Sequence, residues 1–492
     1  MSRETLTAPS ARRWLILAVA VLAQFMVILD IAVVNVALPS IKHDLNFSQS
    51  SLEWVITAYS ILFGGTLLLG GRLADLFGRR RLFVSGVALF TIASLLSGIA
   101  WSESALIAFR ALQGLGGALL APAALSIVVT TFAEGRERNL ALGIWGAASG
   151  GGGAAGVLLG GVLTNYAGWS WIFFVNLPIG AAVIALAPWL LRETRAELGH
   201  RHLDVAGATT VTGGLMLLVY GITRATERGW GDASALASIA VAGALVGAFL
   251  AIEHRSPAPL LPLRVFRLRS LAAANATMLA VGAVAFGEFF LMTLYLQEVL
   301  GYSAIETGLA FVAITAAIAI SSNLGQALTT RLGPRAVLSA GLTACAAAAV
   351  LYARMPLEAH YAQDVLPGLV IGGIGLGLSF VPVTIAAMSG VAPADAGVAS
   401  GLINTSRQVG GSLGLAAVTT VAATVSSDFV QAHPGVGRAA ALSQGFSTGF
   451  YVLAAIALAG AGVAALFAAP APRTQAEPEP APEAEPAWEE AA

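Results

Sequence analysis

Charge is scarce in this chain: Asp, Glu, Lys and Arg together make up 11% of 492 residues, while 57% are hydrophobic. A soluble globular protein carries about 25% charged residues. So little charge cannot solvate a globular surface of this size, and the class is integral membrane protein. Lysine is almost missing. Lys42 is the only one, so no G-x-x-x-x-G-K-[ST] phosphate loop exists and ATP is not expected as the energy source. The single cysteine, Cys345, excludes an intrachain disulfide and, within an Ala-rich apolar run, reads as a small packing residue. With a net charge of −1 and no basic block interleaved with aromatics, nothing points to nucleic acid. No cofactor, metal or enzymatic chemistry is expected.

Long apolar runs are what the chain has instead. Fourteen are read, at 14–38, 54–71, 82–100, 105–127, 140–163, 171–191 and 205–223, then 233–252, 271–300, 307–328, 336–353, 365–387, 398–425 and 446–469. Each approaches the roughly 20 residues an α-helix needs to cross a bilayer's hydrocarbon core. The first run is longer than a secretory signal's apolar region, about 7–15 residues, and is expected to be retained. Arg and Lys decide the orientation. With the N-terminus inside, nineteen of them fall in cytoplasmic loops and five outside, so both termini are expected in the cytoplasm. The acidic, Pro/Ala-rich tail 470–492 is expected to be disordered there.

Two carboxylates interrupt these runs. "VILDIAVVNVALP" (27–39) places Asp30 and Asn35 inside the first, and "AFGEFFLM" places Glu288 inside the ninth. A carboxylate at such depth costs about 3 kcal/mol on insertion scales, so neither is expected to be a bystander. At 1.5 Å per residue Asp30 and Arg110 lie at similar depth, as do Glu288 and Arg407. Each pair reads as a fixed ion pair or as a coupling site, Asp30 with its proton affinity balanced between burial and a cation, Glu288 facing a cavity and binding a cation or proton. None of the six histidines lies mid-span, so carboxylates are the titratable groups left in the membrane core. An ion gradient is the natural energy source, about 2.3 kcal/mol per charge per 100 mV.

The chain also repeats itself. "GGRLADLFGRR" (70–80) after the second run and "GQALTTRLGPR" (325–335) after the tenth align without a gap, sharing Gly70/Gly325, Leu73/Leu328, Gly78/Gly333 and Arg80/Arg335. Parallel six-helix repeats are a secondary-transporter architecture. The expected organisation is an N-terminal segment 1–13, a six-helix bundle 14–191, two inserted helices in 192–270, and a second bundle 271–469.

"GRLADLFGRRR" (71–81) resembles the signature of the major facilitator superfamily. "LDIAVVNVALP", "RALQGLGGA", "GGGGAAGVLLGG", "GWSWIFFVNLPIG", "LYLQEVLGYSAIETGLAF" and "GLINTSRQVGGSLGLA" resemble, in order, motifs of its fourteen-helix drug:proton antiporter branch. The chain departs from those motifs at Ala32 (usually Thr), Val157 (usually Pro) and Ser170 (usually Arg). The resemblance implies an all-α major facilitator fold of two six-helix bundles plus two inserted helices, monomeric, in the cell's inner (plasma) membrane. It implies a conformational latch at Gly71, Asp75, Gly78, Arg79 and Arg80, and gating glycines at Gly152, Gly156 and Gly160. It also implies proton coupling at Asp30 and Glu288, with Arg110 and Arg407 as charge partners. Gln24, Asn35, Gln113, Phe286 and Asn404 are candidate substrate contacts, each equally readable as helix–helix glue. The expected activity is proton-coupled export of hydrophobic, often cationic drugs. A same-fold importer or lipid exporter, and a non-transporting receptor or channel, remain alternatives.

Overall fold

The computed structural model describes residues 10–48, 51–132, 136–193, 204–229, 231–256, 259, 268–388 and 396–467. Residues 1–9 and the acidic tail lie outside the described residues.

Among the described residues the chain forms fourteen long helices, one for each apolar run. They are α1 (Ser10–Leu45), α2 (Trp54–Phe77), α3 (Arg79–Gly98), α4 (Glu103–Thr131), α5 (Arg136–Tyr166), α6 (Trp171–Leu190) and α7 (Val205–Arg228). Then follow α8 (Ala233–Arg255), α9 (Arg269–Val299), α10 (Ala304–Leu332), α11 (Pro334–Ala353), α12 (Tyr361–Met388), α13 (Ala396–Ala432) and α14 (Arg438–Phe467). Several outrun their apolar stretch. Pro39 was expected to end the first helix, yet α1 continues through it to Leu45. A proline removes one backbone hydrogen bond, and tightly packed neighbours make that tolerable.

Local chemistry sets several boundaries. The side chains of Ser102, Asp204 and Asp232 accept the backbone N–H of Ala105, Gly207 and Ala235 at the starts of α4, α7 and α8. Ser303 and Glu306 form a reciprocal capping box on α10. Gly78 and Gly333 adopt φ of +112° and +80° at the turns that join α2 to α3 and α10 to α11. These are the glycines that the internal repeat pairs, and they occupy a backbone region that side chains with a Cβ rarely enter.

The packing repeats with an offset of eight helices. α1 lies on α5, α2 on α4 and α3 on α4; correspondingly α9 lies on α13, α10 on α12 and α11 on α12. The two halves meet where α5 packs on α10 and α2 on α13, contacts that exchange under the same offset. The inserted helices α7 and α8 pack on each other, and α7 touches both α2 and α13.

Candidate functional site

Asp30 sits inside the first half with no solvent exposure. Its Oδ2 is 2.6 Å from Nη1 of Arg110 on α4, while Oδ1 accepts from Nε2 of Gln113 (2.7 Å) and Nδ2 of Asn176 (2.8 Å). Gln113 and Asn176 also donate to the Ser94 hydroxyl on α3, at 2.7 and 3.3 Å. A turn at Val175 separates Trp171–Phe174 from Asn176–Leu190, so Asn176 opens the second segment of α6 facing the carboxylate. Arg110 is equally enclosed. Its Nε donates to the Val55 carbonyl (3.0 Å), its Nη1 also donates to Oε1 of Gln113 (2.5 Å), and its guanidinium lies 4.5 Å from the Tyr59 ring centroid. Five helices of one half, α1, α2, α3, α4 and α6, therefore meet in one network around a single carboxylate. Buried ions are tolerated when paired and hydrogen-bonded in this way.

Glu288 occupies the corresponding place in the second half. It is buried on α9, and its Oε1 accepts the hydroxyl of Tyr352 on α11 at 2.7 Å. Gly372 of α12 leaves the room: a Cβ there would collide with the Glu288 carboxylate. Where Asp30 has an arginine, Glu288 has none among the described residues. Arg407 was expected to pair with it from equal depth, and the structure corrects this. Arg407 forms no ion pair among the described residues, its Nε is buried without a hydrogen-bond partner, and Tyr59 on α2 lies within electrostatic range of it. Depth fixes only one coordinate. Glu288 is turned towards Tyr352 of its own half, and Arg407 is not within ion-pairing distance of it.

The remaining candidates scatter. Gln113, proposed as a substrate contact, is instead engaged at both ends of its amide in the Asp30 network. Asn35 donates back to the Ile31 carbonyl of its own helix at 3.0 Å. Phe286 packs on Gly411 of α13, and Gln24 and Asn404 are half-buried on α1 and α13. Gly152, Gly156 and Gly160 abut α1: an added Cβ would stand 3.1 Å from the Phe25 carbonyl, 2.7 Å from that of Leu29 and 2.9 Å from that of Val33. They join two helices of the same half. The close approach between halves belongs to Gly161, where a Cβ would be 2.8 Å from the Ala304 carbonyl, and to Gly308, where it would be 2.9 Å from that of Val157.

At the signature loop, Glu193 supplies a partner that the motif did not reveal. Its carboxylate accepts the backbone N–H groups of Arg80 and Arg81, both at 3.2 Å, and lies 3.9 and 3.7 Å from their Nε atoms. It thus caps α3, where the helix dipole favours an anion. Gly78 lies directly under it, Gly71 is half-buried, and Arg79 follows at the first position of α3. The side chain of Asp75 lies outside the described ones.

Polar contacts between halves gather at the end where α1 and α9 stop. Lys42 Nζ is 2.7 Å from Oε1 of Glu298, whose Oε2 is 3.1 Å from Arg438, and Gln297 donates to the Val36 carbonyl at 2.9 Å. The Thr419 hydroxyl of α13 donates to buried Glu53 before α2. At the opposite end the described ion pairs, Arg13–Glu137 and Arg80 and Arg81 with Glu193, stay within the first half. There an apolar groove of about 510 Å³ opens between α1 and α5, lined by Trp14, Leu17, Val21, Phe25 and Ile144. Ligand sites commonly have such a volume.

Comparison with known proteins agrees with this architecture. Residues 20–415 match the profile of the Major Facilitator Superfamily. The chain is 41% identical to the puromycin resistance protein pur8 of Streptomyces alboniger, covering 86% of this chain and 85% of that one. It is likewise 41% identical to the cephamycin export protein CmcT of Amycolatopsis lactamdurans, over 84% and 85% of the two chains. The multidrug resistance protein Stp of Mycobacterium tuberculosis (strain CDC 1551 / Oshkosh) is 35% identical, over 84% and 76%. Among solved structures, an inward-facing bacterial homolog of the human lysosomal transporter Spinster aligns with a TM-score of 0.66 at 17% identity, over 93% and 97% of the chains. A peptide transporter of the POT family aligns with a TM-score of 0.67 at 17% identity, over 93% and 96%; both likenesses concern the fold. By profile, relatives and architecture, this chain belongs to the Major Facilitator Superfamily and sits among its drug-resistance and export members.

Proposed function

We propose that the protein is a proton-driven exporter of hydrophobic small molecules, working by alternating access between the bundles 14–191 and 271–469, with 192–270 an inserted pair. The observation that carries this reading is Glu288: a carboxyl group mid-helix, enclosed, with a hydrogen bond from Tyr352 and no cation beside it among the described residues. Ionised, it would be an uncompensated anion in apolar surroundings, which costs far more than a neutral acid. It is therefore suited to carry a proton while enclosed and to release it where water enters. Asp30, held by a guanidinium and two amides, is suited to keeping the first bundle rigid, and exchanges a proton only if that network opens. Lys42–Glu298–Arg438 and Glu53–Thr419 close one end of the conformer described here. The distribution of arginines supports placing that end outside, with both termini in the cytoplasm. Substrate would enter from the groove between α1 and α5, and a proton entering from outside would return Glu288 to its neutral form as substrate leaves. The resistance and export names of the relatives support an antibiotic or drug as the cargo, and the fold supports a monomer in the plasma membrane.

Everted membrane vesicles test this. Wild type should take up a lipophilic dye when the lumen is acidified, and dye addition should dissipate the proton gradient. Glu288→Gln should still bind dye but uncouple the two fluxes. Accumulation of dye by Glu288→Gln against its gradient, at the wild-type rate, would refute proton coupling through this residue.

A further inference from the structure

Arg407 is a guanidinium roughly 17 Å along α13 from Ala396, buried enough that its Nε is desolvated and open enough that the residue is not fully enclosed. No carboxylate among the described residues balances it. Asp30 is committed to Arg110, Gln113 and Asn176, and Glu288 is turned towards Tyr352. Two further buried polar groups also have no hydrogen-bond partner among the described residues: Nε2 of Gln408, the next residue along α13, and the hydroxyl of Tyr59 on α2. They share one seam. The Gln408 side chain lies against Gly64 of α2, the neighbouring Thr405 hydroxyl donates to the Gly64 carbonyl at 2.8 Å, and Tyr59 stands on that same helix within electrostatic range of Arg407.

A guanidinium, a carboxamide nitrogen and a phenol are three donors carrying one positive charge, with no anionic acceptor among them. Buried donors without acceptors are costly, and an ionisable group in a membrane span marks a functional site with an absent partner. The complement of this set is an anionic oxygen group. We propose that Arg407, Gln408 and Tyr59 form an acceptor subsite for an acidic group, a carboxylate, on the exported molecule. The inference rests on the export reading above and narrows its substrate class from hydrophobic molecules in general to amphiphiles bearing an acid. Because the subsite is shared by α2 and α13, one helix from each half, an acid bound there would tie the halves together across the seam.

The test is binding, which needs no gradient. Rhodamine B carries a carboxylate, and its ethyl ester is the same fluorophore without the acid. Anisotropy titrations of the purified full chain in neutral detergent should show the acid binding about ten-fold more tightly than the ester, the worth of one charge-assisted hydrogen-bonded pair. Arg407→Gln should remove that preference by weakening the acid alone, and Arg407→Lys should keep part of it. Glu288→Gln should keep all of it, so loss of coupling in vesicles and loss of acid recognition are separable results. The proposal is overturned if wild type does not prefer the acid, or if Arg407→Gln weakens acid and ester equally. It is also overturned if short-chain phosphatidylglycerol displaces the dye at a lower concentration than benzoate, which would assign the site to a lipid headgroup.

Discussion

Asp30→Asn and Glu288→Gln make the same chemical change, carboxylate to carboxamide, and their surroundings give them opposite consequences. In Asp30→Asn the enclosed Arg110 loses its anion and keeps only the Gln113 amide oxygen and the Val55 carbonyl as acceptors. The new amide oxygen can stay with the donors Gln113 and Asn176, and its nitrogen, itself a donor, is then set against Nη1 of Arg110. Removing one partner of a buried ion pair costs about 3–5 kcal/mol, at least a hundred-fold in the folded-to-unfolded ratio when 1.4 kcal/mol is about ten-fold. In Glu288→Gln no cation is orphaned, and the carboxamide oxygen still accepts from Tyr352, so the loss should stay within about 1 kcal/mol. Unfolding midpoints of the two variants in one detergent measure the difference. The cycle is closed by Asp30→Asn/Arg110→Gln, which should recover at least about 1 kcal/mol of the summed single losses, because both residues belong to one network. Equal midpoints, or a more damaged Glu288→Gln, would show that Arg110 does not depend on Asp30 as the geometry implies.

Four further outcomes are expected. Lys42→Gln should loosen the closed end by about 1 kcal/mol, a shift of about five-fold in conformer populations, read as longer distances between spin labels at the ends of α1 and α9. Gly308→Val should push the Val157 carbonyl of α5 away and lower the yield of cross-links between α5 and α10, in a Cys345→Ser background. Glu193→Ala should uncap α3 and cost about 1 kcal/mol locally, seen as faster hydrogen exchange at residues 79–82. At the start of α8, the Ser234 hydroxyl and then the Ala235 N–H hold the Asp232 carboxyl below its ordinary range. A lowered folded-state value means that the cap is fully present above the ordinary aspartate range and lost as pH falls through the lowered one. With the intrinsic pH dependence of amide exchange divided out, protection at residues 234–237 should therefore fall as pH drops through that window in wild type, and stay constant over it in Asp232→Asn.

Fourteen helices were legible because hydrocarbon imposes a length: each span must be apolar over a fixed thickness and satisfy its backbone internally. The turns at Gly78 and Gly333 were legible because a repeated sequence repeats its backbone demands. Depth brought Asp30 and Arg110 to one level, and they stand 2.6 Å apart. The same arithmetic failed for Glu288 and Arg407. Rise along a helix says nothing about rotation about its axis, and these two residues are not within ion-pairing distance. Asn176, Ser94, Tyr352 and Glu193 reach their partners from segments far away in sequence, and no spacing announces them. The four-residue rhythm of Gly152, Gly156 and Gly160 announced close contact, but not that the partner would be α1 of the same half, with Gly161 and Gly308 at the seam instead.

By itself, the sequence determined that this chain is an integral membrane protein of fourteen helices in two related halves, and that two acids lie within its apolar runs. Only the tertiary structure decided which acid has a counter-charge and which arginine lacks one. Charge balance depends on which helix faces turn towards each other, and that is settled by packing between helices hundreds of residues apart.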